Sequence, residues 1–177
     1  TFNFETRVDA LSGIGKYDIT DSSTQTFNNA NSAVLTTDHK TIKYYGHVVD
    51  KAGNTKTCEI TVKRDATAPT CSVNPTGTRG NNDWFTSDVA ISITTNDVTS
   101  EVNSYDLSKS ATPSYLNAGS ASLKTDSTGT MFYGYVKDNA GNVGTCSENV
   151  KRDTVKPICS ITKEGTLGDN GWYKSNV

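Results

Sequence analysis

One stretch occurs twice, and it constrains the chain more than any other feature. Tyr45-Gly46-His47-Val48-Val49-Asp50-Lys51-Ala52-Gly53-Asn54, followed by Cys58, returns as Tyr133-Gly134-Tyr135-Val136-Lys137-Asp138-Asn139-Ala140-Gly141-Asn142, followed by Cys146. The offset of 88 residues carries other pairs with it: Tyr17-Asp18 with Tyr105-Asp106, Lys63-Arg64-Asp65 with Lys151-Arg152-Asp153, Cys71 with Cys159, and Trp84 with Trp172. A long fixed period, expected here to run without insertions, is the signature of a repeat array. The chain of 177 residues is therefore read as two small units and not as one domain.

Within each period the apolar residues alternate, and the segments between them are polar. Val89, Ile91 and Ile93 share one face of a short strand, and Phe2 and Phe4 alternate in the same way at the front of the first copy. Ile42, Tyr44, Gly46 and Val48 form one face of a longer strand, matched by Phe132, Gly134 and Val136. Asp50 to Asn54 then breaks the alternation. Gly53 and Asn54 tolerate positive φ, so a tight hairpin is predicted. Cys58, Ile60 and Val62 on the return strand are expected to face the core together. Residues 22–33 and 108–122 are rich in Ser, Asn and Thr and predict loops with a short edge strand. Asp126-Ser127-Thr128-Gly129 reads as a turn. Asp65 to Pro69 and Asp153 to Pro157 read as stiff junctions, because proline fixes the backbone. The predicted organisation is a repeat at 1–65 lacking its first strand, a complete repeat at 66–153, and an opening strand of a further repeat at 154–177. About seven short strands per period and no helix point to an all-β, antiparallel β-sandwich array.

The remaining composition narrows the partners. Seventeen basic and 19 acidic residues give a net charge of −2, with no basic run or stripe, so nucleic acid is not the expected partner. No apolar stretch approaches membrane-spanning length, so no membrane insertion is expected in this segment. Thr1 falls in mid-repeat, which suggests a segment of a longer protein. Four cysteines without any C-x-x-C pattern, beside His39 and His47 alone, do not suit zinc. In a Thr-rich β repeat they read as disulfides, hence an exported setting; the competing reading is buried reduced thiols.

These residues carry a family resemblance. Asp-x-Ala-Gly-Asn in the late hairpin, Asp-x-Thr-x-Pro at the junction and Asp9-x-x-Ser-Gly-Ile-x-x-Tyr17 near the front resemble the bacterial immunoglobulin-like (Big-type) repeats of secreted and cell-surface proteins. The stretch from Gly80 to Val89 is similar to the opening strands of one branch of that family. The resemblance spans nearly the whole chain and implies tandem immunoglobulin-like sandwiches, modules that serve mostly as spacers. One departure is Glu101, which stands where the first copy has Gly13, so a different loop backbone is expected there.

In a sandwich of that type the first and last strands can start at the same end. The resemblance therefore implies a Cys71–Cys146 disulfide closing a 75-residue loop. Cys58 and Cys159 would then pair outside the segment. The alternative is Cys58–Cys71 with Cys146–Cys159. In an extended junction those sulfurs lie some 40 Å apart, so that pairing needs a hairpin at Arg64-Asp65.

The polar and aromatic residues bear on three kinds of chemistry. For catalysis, His39 and His47 sit in no motif, carboxylates are scattered, and the replacement of His47 by Tyr135 marks a sheet-surface residue. No enzyme and no catalytic residue are expected. For calcium, Asp50, Asn54 and Asp65, repeated as Asp138, Asn142 and Asp153, cluster oxygens near a junction; the same residues make ordinary turn hydrogen bonds. Otherwise no cofactor is expected. For ligand binding, Trp84 and Trp172 beside Gly and Asn could stack on a sugar, or they could cover an open end of the core. The functional expectation is a non-enzymatic, extracellular, structural spacer or stalk at a bacterial cell surface. Its partners would be neighbouring repeats, copies of itself, or a surface glycan or protein. The alternatives are a subunit of an extracellular filament assembled by strand or disulfide exchange, and an adhesin module.

Overall fold

A computed structural model describes residues 1–5 and 7–177. Twelve strands follow in order: β1 (Phe2–Asn3), β2 (Ile14–Thr20), β3 (Ser32–Ala33), β4 (His39–Asp50), β5 (Thr55–Arg64), β6 (Thr70–Thr76), β7 (Trp84–Phe85), β8 (Val89–Asn96), β9 (Val102–Ser108), β10 (Ser120–Leu123), β11 (Ser127–Asp138) and β12 (Val143–Arg152). Among the described residues the only helical element is a short 3-10 turn at Asp169–Gly171. The fold is all-β, as the alternation predicts.

The later strands build a complete sandwich. One sheet has the order β10-β8-β6, and the other β7-β12-β11-β9. The inner faces follow the period of two: on β8, Val89 and Ile91 are buried while Ala90 and Ser92 are exposed. They meet Val73, Leu107, Leu123, Phe132 and Val150 in one core, with Phe85 closing it. Each such side chain removed from water contributes about 1.5–3 kcal/mol. Strand β7 pairs in parallel with the end of β12, Trp84 beside Lys151 and Phe85 beside Arg152.

The earlier strands make the corresponding sheet, β2-β4-β5, and a short pair, β1-β3. Their core is thinner. Phe2 lies on Tyr44 with ring centroids 4.6 Å apart, and Phe4 meets Tyr17 edge-on at 6.0 Å. Pairing corrects the uninterrupted period. Phe2 pairs with Ala33, whereas Ile91 pairs with Ala121. Ala33 and Ala121 differ by 88, but Phe2 and Ile91 differ by 89. One extra residue therefore enters the first copy between Phe4 and Asp9, a stretch that includes Thr6, outside the described residues. The slip is what lets Phe2 and Phe4 face inward, since moving a strand by one residue turns it over.

Both hairpins have the predicted shape. Gly53 and Gly141 take φ of 96° and 100°, and Asp50 and Asp138 accept the N–H of Asn54 and Asn142 at 2.8 Å each. Glu101 does not change its loop. Its φ is 68° against 75° for Gly13, and Lys51 and Asn139 donate alike to the carbonyls of Gly13 and Glu101. The loop shape comes from Asp97, whose Oδ1 accepts the N–H groups of Thr99, Ser100 and Glu101. The turn expected at Asp126 to Gly129 is instead an irregular start to β11, with a register shift between Ser127 and Thr130.

His47 also departs from expectation. It points away from the core, as the alternation requires, but it is only 1% exposed. Its Nδ1 lies 3.0 Å from Thr57 Oγ1 and its Nε2 3.3 Å from the Ser22 carbonyl of the loop after β2. Tyr135 does the same work, donating its hydroxyl to the Ala111 carbonyl at 2.6 Å. Either side chain ties a polar loop to the outer face of its sheet, which explains the exchange of His for Tyr.

Candidate functional site

Two places bring chemistry-bearing residues together: the junction between β5 and β6, and an open groove on the first sheet.

At the junction, β5 ends at Arg64 on an ion pair with Asp38. The same carboxylate accepts the Ala66 N–H at 3.1 Å and the Thr67 hydroxyl at 2.6 Å. The Thr67 hydroxyl acts first in holding the Asp38 carboxyl below its ordinary value; burial opposes it, and the Ala66 N–H and the Arg64 charge add to the lowering. The constellation repeats after β12. Arg152 donates to Asp126 at 2.6 Å and to Asp88 at 2.7 Å, while the Thr154 N–H and hydroxyl approach Asp126 at 3.2 Å. The chain leaving each sheet is thus clamped by an acidic residue of its own unit. The sequence marks Lys-Arg-Asp as a boundary, but Asp38 and Asp126 are 26 residues from their arginines and carry no local signal.

The junction is also tied forward. Asp65 accepts the Ser100 N–H at 3.1 Å, and Asn142 donates its amide to the carbonyls of Asp65 and Thr67 at 3.4 and 3.3 Å. Lys40 reaches Glu101 across the gap at 3.1 Å. His39, Lys40 and Arg64 on one side and Thr99, Glu101 and Asn139 on the other line a shallow cleft of about 470 Å³.

The calcium candidates divide. Asp65, Asp138 and Asn142 meet here, joined by Asp97, which the sequence reading missed; the three carboxylates come within 4.8 Å of one another. Asp50 and Asn54 make their own turn elsewhere, and Asp153 accepts the Val155 N–H. Burial pushes the Asp138 carboxyl up, yet the Asn142 amide and the N–H groups of Asn142, Gly141 and Ala140 outweigh it and hold it below 3.8. Each Asp65 oxygen accepts one N–H, from Thr67 and from Ser100, and Asp97 Oδ1 accepts those of Thr99, Ser100 and Glu101. Calcium takes six to eight oxygen ligands, and N–H groups aimed at the same oxygens compete with it for them.

The groove is the other place. Phe2, Phe4, Tyr44, Gly46, Cys58 and Ile60 line a cavity of about 570 Å³. Cys58 and Ile60 lie on the core face as expected, yet both are exposed, Ile60 at 54%. In the complete sandwich the matching position is filled. Strand β6 covers it, Cys71 is bonded to Cys146 with Cα atoms 5.8 Å apart, and Val73 is buried. The alternative pairing of Cys58 with Cys71 is not formed; Cys58 and Cys159 are free and exposed.

The two tryptophans differ. Trp84 is half-buried under Lys151, whose Nζ sits 5.7 Å from the ring centroid, whereas Trp172 is 77% exposed. His39 is held by Thr37 Oγ1 at 3.0 Å, so both histidines are structurally engaged.

The geometry defines the class: an immunoglobulin-like β-sandwich, stapled by one disulfide, following a sheet of the same pattern. No protein-family model matches the chain, and no curated protein matches it. Among solved structures it is similar to the fibronectin(III)-like modules of Clostridium thermocellum CbhA, with a TM-score of 0.38 and 11% identity over 88% of each chain.

Proposed function

We propose that this chain is a non-enzymatic structural spacer, part of a tandem array of immunoglobulin-like repeats exposed outside the cell, of the kind found on bacterial surfaces. The observation that carries the reading is the clamp at the end of each unit. Asp38 with Arg64 and Thr67, and Asp126 with Arg152 and Thr154, fix the direction in which the chain leaves its sheet. A binding loop does not need that device, whereas a stalk does. Disulfide stapling supports an oxidising location, because such bonds persist outside reducing cytosol.

Small-angle scattering on the 177-residue chain tests the reading. An elongated particle, unchanged in its longest dimension between low and high salt, is expected. A compact profile would overturn it.

A further inference from the structure

Tension applied along this chain meets the disulfide before it meets the core of the complete sandwich. The chain enters that unit at Pro69, which passes so close over Gly144 that a Cβ built there would lie 1.9 Å from the Pro69 carbonyl oxygen. Cys71 follows at the start of β6 and is bonded to Cys146, near the start of β12. The chain leaves at the far end of β12, after Arg152. Between entry and exit the shortest covalent path is therefore Cys71, the disulfide, and β12 from Cys146 to Arg152. The residues between the two cysteines, 75 apart in sequence, form a side loop on that path. Strands β7 to β11 lie in the loop, with the buried side chains of Ile91, Leu107, Leu123 and Phe132.

The part of β12 beyond the staple is anchored on both sides. Ser147, Glu148, Asn149 and Val150 pair with Tyr133, Phe132, Met131 and Thr130 of β11, and Lys151 and Arg152 pair with β7. Val150 is buried in the core, and Arg152 donates to Asp126 and Asp88 at 2.6 and 2.7 Å. Ladder bonds lie across the strands, so a lengthwise pull shears them together and not one at a time.

We propose that the Cys71–Cys146 disulfide carries tension past the body of the sandwich, making the unit inextensible while oxidised and extensible once a small thiol reduces it. With the staple intact, only Thr70 to Cys71 and Cys146 to Arg152 can straighten, and both stretches are already extended strand. With it broken, the side loop is released, about 250–270 Å of chain at 3.3–3.6 Å per residue. Reduction is a thiol–disulfide exchange, and neither cysteine is fully buried. A thiolate of dithiothreitol attacks one cysteine sulfur, the Cys71–Cys146 bond breaks, and the departing protein thiolate takes a proton. The second dithiothreitol thiol then displaces the other cysteine. Dithiothreitol leaves as its cyclic disulfide, and the protein gains two electrons and two protons. The purpose of such a bypass rests on the spacer reading; the bypass itself is a property of the folded unit.

The test pulls the full 177-residue chain from its two ends in a single-molecule force measurement, in a C58S/C159S background that leaves one disulfide. The oxidised chain is expected to show no lengthening step of about 250–270 Å from this unit, and dithiothreitol added under tension is expected to add one such step. C71A/C146A is expected to show the step from the first pull, with or without dithiothreitol. An oxidised chain that gives the step would overturn the proposal, and so would a reduced chain that never gives it. The reduction arm acts on a chain already folded, so it decides the matter even where the double variant does not fold. Scattering reads shape at rest, whereas pulling reads extensibility. A compact profile therefore removes the spacer reading and leaves the bypass standing, while the step in the oxidised chain removes the bypass alone.

Discussion

At the scale of single residues, buried carboxylates hold the loops that follow β2 and β9. Asp18 is fully buried and accepts the Thr26 N–H, the Thr26 hydroxyl and the Phe27 N–H. Asp106 does the same for Ser114. Burial raises the pKa of Asp18 and Asp138, but the hydrogen bonds, helped at Asp18 by His47, bring both below 3.8. The sign follows from linkage. A carboxyl depressed in the folded state adds stability above its unfolded pKa, and that stability is lost as pH falls through the folded value. The melting temperature is therefore expected to stay level from pH 7 to about 5 and to drop below about 4; calorimetry across that range checks it, and Asp138→Asn should flatten the slope. Glu101 offers a gain instead. A non-glycine residue at φ of 68° costs roughly 1–2 kcal/mol, while glycine there costs 0.4–1 kcal/mol through the unfolded chain, to order of magnitude. The exposed Lys40–Glu101 pair contributes little against this. Glu101→Gly is expected to stabilise by about 0.5 kcal/mol in urea unfolding, and a loss of more than that would show the ion pair to be the stronger term.

At the scale of elements, the disulfide joins the first and last strands of the sandwich and closes a 75-residue loop. In the chain-entropy model this is worth about 4 kcal/mol, as an upper guide. The double variant C71A/C146A is expected to melt at least about 10 °C lower, read by calorimetry with and without reductant. A shift of only a degree or two would mean that the core of Phe132, Ile91 and Val150 holds the strands unaided. This pairing was implied only by the family resemblance, whereas the hairpins and the long strands were legible in the sequence, because each rests on local turn chemistry or on alternation around a repeat. The one-residue slip before Asp9 was not. Its signal, Phe2 and Phe4 aligning at 89 residues with Ile91 and Ile93, was hidden by pairs such as Tyr17 and Tyr105 that keep 88. Nor were the clamps of Asp38 and Asp126, the loop tie of His47 or the arrival of Asp97 at the junction. Those contacts span loops whose path the alternation does not encode.

At the scale of the whole molecule, what matters is whether the junction transmits direction. The five residues from Asp65 to Pro69 would bend freely if only proline stiffened them, since conformational entropy favours every available angle. The Asn142 amide on the carbonyls of Asp65 and Thr67, and Asp65 on the Ser100 N–H, remove that freedom. Asn142→Ala also strips a donor from the buried Asp138 carboxylate, so it should cost about 1–3 kcal/mol and widen the spread of angles between the sheets. Labels on Lys16 and Lys109, read by pulsed electron spin resonance after exchange to cysteine in a C58S/C159S background, should show one narrow distance that broadens in Asn142→Ala. The same pair of labels separates a hydrogen-bonded lock from a metal-bound one. With the N–H donors of Asn142, Ser100 and Glu101 already aimed at Asp138, Asp65 and Asp97, neither EDTA nor added calcium should narrow or broaden the distance or move the melting temperature. If calcium narrowed the distance and raised the melting temperature by several degrees, the three carboxylates would be its ligands, and the rigidity of the junction would depend on the ion.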